Sequence, residues 1–139
     1  MNQISLKIGG HYNDRKYNLK EEYPNMDIEY YSNMLTFKNI EEALQLFEES
    51  KLCGLRISFK GFKNMEEAKE FSSNFPKYVR MNPHTCGGMK TDENGNYVGY
   101  TEYHTGIQVY YKESTMGAKN ESSIKRIKSI IRTMKKLNI

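Results

Sequence analysis

Two near-copies of one heptapeptide, FKNIEEA from Phe37 and FKNMEEA from Phe62, bracket the segment LCGLRISFKGF. In each copy an asparagine (Asn39, Asn64) stands three residues before a glutamate (Glu42, Glu67), the spacing of a capping box. The asparagine oxygen accepts from a free amide of the first helical turn, and the glutamate reaches back towards the cap. Ile40, Ala43, Leu44 and Phe47 follow helical spacing after the first cap, as do Met65, Ala68, Phe71 and Phe75 after the second. Between them Leu55, Ile57 and Phe59 alternate with Arg56, Ser58 and Lys60, which predicts a strand with one buried and one polar face. The chain is thus held to a strand between two short capped helices. The likeness of the copies ends after seven residues, and strand-to-helix junctions of this kind arise by convergence, so it does not imply a duplication.

Other segments read more simply. ISLKI alternates and predicts a strand that stops at Gly9 and Gly10, and the polar HYNDRKYNLKEEYPN reads as a long loop. MDIEYY alternates again. After Pro76, KYVRM predicts a short strand carrying Arg80. KTDENGNYVGY predicts a hairpin turning at Asn94-Gly95, with TGIQVYYK as a further strand paired beside it. A loop containing Gly117 then leads to a helix over about residues 120–138. The expected class is α+β: a mixed, largely antiparallel sheet with two short capped helices and a C-terminal amphipathic helix.

Length and composition bound this picture. With 139 residues the chain suits a single domain spanning 1–139. Mean hydropathy is low, at −0.80, yet 11 tyrosines and 6 phenylalanines supply enough apolar surface for a core and argue against disorder. No run is long and apolar enough to cross a bilayer, and the first residues lack both a basic leader and an apolar signal core. Cys53 and Cys86 do not make a disulfide framework. These features predict a reduced, cytoplasmic protein, and the richness in Lys, Asn, Ile and Tyr suggests an AT-rich genome, such as that of a low-GC bacterium or its phage.

The net charge of +4 is unevenly placed. From Lys119 onward seven basic residues face Glu121 alone, a net +6, which leaves −2 for the preceding 118 residues. On the terminal helix Ile124, Ile127, Ile130, Ile131, Met134 and Leu137 form one stripe, opposite Lys125, Lys128, Arg132, Lys135 and Lys136. Such a stripe packs on a sheet and leaves the lysines in water, and the same basic row fits an anionic partner. Arg56 and Lys60 share one strand face, and Arg80, if on a neighbouring strand, would extend a phosphate-binding cluster with tyrosines as stacking surfaces.

NPHTCGG, residues 82–88, concentrates reactive side chains. His84 and Cys86 lie two apart, and His104, expected at or near a turn, follows twenty residues later. A hairpin would bring the histidines to one sheet edge. With Cys53 they would supply four zinc donors, Cys53, His84, Cys86 and His104, although no Cys-x-x-Cys or His-x-x-x-His spacing is present. Cys86 and His104 could alternatively form a nucleophile and base. The simpler reading is a proline-bounded turn with a buried cysteine and an ordinary hydrogen-bonded histidine. Asp92, Asn94 and Asn96 resemble the start of a calcium loop, but its sixth and twelfth positions hold Tyr97 and Tyr103, which excludes it.

No phosphate-binding glycine loop, zinc ribbon, nucleophile elbow or cofactor fingerprint occurs. The expectation is a small non-enzymatic binding module without a cofactor. It would engage nucleic acid, a nucleoprotein or an acidic protein surface through Arg56, Lys60, Arg80, Lys125, Lys128, Arg132 and Lys136, in keeping with a phage or mobile-element accessory or inhibitor protein. The alternative is a site that binds or hydrolyses a nucleotide-like ligand with His84, Cys86 and His104.

Overall fold

The computed structural model describes residues 4–12, 18–31, 34–111 and 116–139. Its elements are β1 (Ser5–Tyr12), α1 (Leu19–Glu22), β2 (Ile28–Tyr31), β3 (Met34–Phe37), α2 (Ile40–Glu48), β4 (Leu52–Phe62), α3 (Met65–Ser72), β5 (His84–Thr91), β6 (Tyr97–Tyr110) and α4 (Met116–Leu137). A 3-10 turn covers Lys77–Val79. The strands hydrogen-bond in the order β2-β3-β1-β4-β6-β5, and β1–β3, β2–β3 and β5–β6 are antiparallel pairs. The fold is α+β, with a largely antiparallel sheet and, among the described residues, three short capped helices and a C-terminal helix. No helix among the described residues is long and apolar enough to cross a membrane.

Both caps form. Asn39 Oδ1 accepts from the amides of Glu41 at 2.8 Å and Glu42 at 3.2 Å, and Asn64 Oδ1 accepts from Glu67 at 2.9 Å. The reciprocal half of the box differs. Glu67 accepts from the Lys63 amide at 2.7 Å, one residue before the cap, whereas Glu42 accepts from the distant Asp27 amide at 3.0 Å. Each helix follows a strand that ends in a buried phenylalanine, Phe37 or Phe62.

The chain divides into two compact units. The unit of residues 7–57 and 108–139 is built around Ile8, Leu35, Phe37, Phe47, Leu52, Leu55, Ile57, Ile127 and Ile130, all nearly or fully buried. Here α2 packs on β3 and α4. The segment read as a loop after Gly10 instead continues β1 to Tyr12 and then holds α1, with residues 13–17 outside the described set. Asn18 Oδ1 caps α1 by accepting from the Glu21 amide, Leu19 is fully buried, and the Tyr23 hydroxyl donates to Glu49. That bond pushes the Tyr23 phenol up to about 12. Gly9 and Gly10 do not stop β1; they pair with Thr36 and Leu35. A β-carbon on Gly10 would stand 2.9 Å from Phe37 Cε2 and 3.2 Å from Leu52 Cδ1, so the glycine is there to let two core side chains close over the strand.

The unit of residues 1–6 and 58–107 has an aromatic core. Phe71 of α3 lies with ring centroids 4.9 Å from Phe59, 5.2 Å from Phe62 and 5.4 Å from Phe75, at tilted angles favoured by aromatic quadrupoles. KYVRM is not a strand. Pro76 leads into the 3-10 turn, and Arg80 closes it in the left-handed region at φ 56°. Only Val79 of the turn is buried, a pattern too short to separate a strand from a tight turn. NPHTCGG is not a turn either, because His84 begins β5. The segments NYVGY and TGIQVYYK, expected as separate strands, merge into the 14-residue β6, with His104 inside it rather than at a turn. The hairpin tip is also broader than a two-residue turn. The amide of Asp92 bonds the carbonyl of Asn96 at 2.9 Å, and only Gly95, at φ 81°, takes the left-handed conformation.

Crowding at Gly10 gives a paired expectation. Gly10→Ala should lower stability by about 1–3 kcal/mol through overpacking. Gly88→Ala, whose new methyl meets nothing within 4 Å, should stay within about 0.5 kcal/mol of the parent. Urea unfolding midpoints of the two variants measure the difference.

Candidate functional site

The first candidate site arises from the register of β5 and β6. His84 pairs directly with His104, Thr85 with Tyr103 and Cys86 with Glu102. Side chains two apart on a strand share a face, and directly opposed residues lie side by side. His84, Cys86, Glu102 and His104 therefore form a two-by-two block on one face of the hairpin. Thr105 and Ile107 point the other way into the core, where the Thr105 hydroxyl meets Ser72 Oγ of α3 at 2.6 Å. The register shifts between Cys86 and Met89, which ends the regular pairing just past the block.

Cys86 Sγ, a Glu102 carboxylate oxygen and a His104 ring nitrogen lie within 4.8 Å of one another. His104 is 5% exposed and donates Nε2–H to Glu102 Oε2 at 3.1 Å, since an ionised carboxylate only accepts. The rings of His84 and His104 meet edge to face with centroids 5.6 Å apart. His84 donates Nδ1–H to the Asn82 carbonyl at 2.9 Å, so in the neutral ring Nε2 is the nitrogen that bears the lone pair.

Burial holds the His104 imidazole below its ordinary value of 6.5, helped by the nearby positive charge of Lys60 and by His84. The hydrogen bond and charge of Glu102 oppose the shift without reversing it. His104 is accordingly neutral at neutral pH.

Cys53 does not join this group. It lies in β4, in the other unit, and desolvation raises its thiol above the ordinary value, which disfavours the thiolate. Of the anticipated set Cys53, His84, Cys86 and His104, the group of converging donor atoms holds Cys86 and His104, and Glu102 joins them. Its signal was available: Glu102 is two residues before His104 and so shares its strand face. Cys86 is exposed rather than buried. The superficially calcium-like Asp92 instead caps the hairpin tip, accepting from the amides of Asn94 and Asn96 at 2.9 Å each.

The second candidate surface is basic. Lys125, Lys128, Arg132, Lys135 and Lys136 are exposed along α4, opposite buried Ile127 and Ile130. The buried face is turned from the purely apolar stripe towards Ser123, Ser129 and Thr133, leaving Ile124 and Ile131 half-buried and Leu137 exposed. The helix begins at Met116, so Gly117 lies in its first turn rather than in a loop. Two carboxylates of α2 approach the basic row: Glu48 at 4.0 Å from Lys128 and Glu41 at 3.5 Å from Lys135. Arg132 donates to Ser129 Oγ at 2.8 Å.

The remaining cations lie on other elements. Arg56 reaches Gln108 Oε1 at 3.4 Å, and Gln108 in turn donates to the Tyr110 hydroxyl. Lys60 acts electrostatically on His104. Arg80, at the end of the 3-10 turn, is not on a strand neighbouring either.

A scan of protein-family models and searches of curated proteins and solved structures found no match. The chemistry of these two surfaces therefore carries the functional reading.

The lowered His104 value has a defined sign. An unfolded histidine takes up its proton near 6.5, before the folded one does, so the stabilising contribution is complete above 6.5 and is lost as pH falls through the folded value. In chelator-containing buffer the melting temperature of the parent should fall below pH 6.5 more steeply than that of His104→Gln. An NMR titration of His104 should show a midpoint under 6.5.

Proposed function

We propose that this protein is a non-enzymatic binding module that engages an anionic macromolecule through the outward face of α4, with a nucleic-acid backbone as the preferred partner. The observation that supports the reading is the exposed row Lys125, Lys128, Arg132 and Lys136 on a helix whose opposite side is buried. At 1.5 Å per residue the row spans about 16 Å, long enough to meet several phosphates. The ion pairs to Glu41 and Glu48 are exposed and loose, of a kind worth about 0–1 kcal/mol, so a polyanion can displace them. Arg56, Lys60 and Arg80 lie on other elements and are not needed for this contact.

A phosphate-binding role for the hairpin is less favoured. Glu102 presents a carboxylate beside His104, and that charge repels a phosphate. The nucleotide-like ligand anticipated for His84, Cys86 and His104 therefore fits this block poorly, although the three residues do converge.

Binding to duplex and single-stranded oligonucleotides at several salt concentrations tests the reading. Four phosphate contacts correspond to a slope of log affinity against log salt of about −3.6 on duplex DNA. Replacing Lys125, Lys128, Arg132 and Lys136 with glutamine should flatten that slope and weaken binding, while the unfolding midpoint changes little. Unchanged affinity and slope in this variant would remove nucleic acid as a partner of α4.

A further inference from the structure

We infer that the β5–β6 hairpin is a transition-metal site, in which Cys86 Sγ, a Glu102 carboxylate oxygen and a His104 ring nitrogen hold a borderline divalent cation of the zinc class, with His84 as the fourth donor. Among the described residues these three form a group whose donor atoms all lie within 4.8 Å of one another. Tetrahedral zinc with bonds of about 2.0–2.3 Å places its donors about 3.3–3.8 Å apart, so the group need close by at most roughly 1 Å. Exposed Glu102 can supply part of that movement by rotating, and His84, whose donor atoms lie outside the group, must turn towards it from its place directly opposite His104.

The donor chemistry selects the metal. Calcium and magnesium take oxygen ligands, whereas a thiolate, an imidazole and one carboxylate suit zinc or cobalt. His84 shows the outer hydrogen bond that usually accompanies metal-bound histidine. Its Nδ1–H is held by a backbone carbonyl, and Nε2 keeps a lone pair for a cation. The edge-to-face contact places that ring beside His104. On binding, the cation takes the place of the proton now shared between His104 Nε2 and Glu102, that proton passes to Nδ1 as the tautomer changes, and the Cys86 thiol releases its proton to solvent. The site would act as a clip across the two strands, since a ligand bound only by the folded state stabilises it. This inference is independent of the α4 reading.

Cobalt(II) is the probe, added to the full-length, reduced protein after chelator treatment. One equivalent should produce a sulfur-to-cobalt charge-transfer band and the intense visible bands of a tetrahedral site, and zinc should displace it and raise the melting temperature. Cys86→Ser should abolish the charge-transfer band, and Cys53→Ser should leave it intact. Glu102→Gln, an exposed substitution expected to fold normally, should weaken binding by more than the roughly 10–100-fold that loss of a residue supporting a ligand costs. His84→Ala should lower the affinity and the visible intensity. Absence of a charge-transfer band, its persistence in Cys86→Ser, or a weak octahedral spectrum would each overturn the assignment, and unchanged binding in His84→Ala would overturn the role of that residue.

Discussion

The alternation along β4 is the constraint on which the other placements depend. Leu55, Ile57 and Phe59 are fully buried, so Arg56, Ser58 and Lys60 must emerge on the other face. A slip of one residue would exchange the two sets, and placing two cations in the core makes that alternative prohibitive. Such a fixed register gives a strand side chain its chemical neighbours: Arg56 reaches Gln108, and Lys60 bears on His104. The polarity of one strand is in this way transmitted to the ionisation of a histidine on another.

Capping fixes the other boundary conditions. Each asparagine ends a strand and starts a helix at a defined residue, immediately after a buried phenylalanine and an intervening lysine. The two junctions are alike because the local problem is alike, yet their glutamates finish differently. Glu67 closes locally on Lys63, whereas Glu42 ties the Asp27 amide to the start of α2. Similar heptapeptides encode the cap itself, and the surroundings decide what the glutamate does.

What was legible in the sequence was whatever rests on local pattern. The β4 alternation, both caps and the amphipathic α4 needed only neighbours within a turn or two. Features that rest on distant neighbours were misread. Gly9 and Gly10 resemble a break, but the crowding by Phe37 and Leu52 that makes Gly10 useful inside a strand comes from residues far along the chain. His84 through Gly88 resemble a turn because proline and two glycines are present, and only pairing with β6 makes the segment extended. KYVRM offered too few residues to establish a period. For the candidate site, the approach of His84 to His104 followed from a hairpin, whereas the presence of Glu102 beside Cys86 required knowing which residues oppose one another.

The shifted register after Cys86 has a bearing on how copies of the chain behave at high concentration. Among the described strands β5 stands at the end of the order, beside β6, and edge strands are where a sheet can grow by adding a foreign strand. A straight edge is a good template for such growth. Here the ladder is irregular between Cys86 and Met89 and again between Lys90 and Thr91, and a lysine sits between the two faults. Bulges bend a strand and interrupt the even spacing an incoming strand needs, and a charged side chain opposes burial at the junction. The irregularity that closes off the histidine block thus also blunts the sheet's open border against runaway self-association.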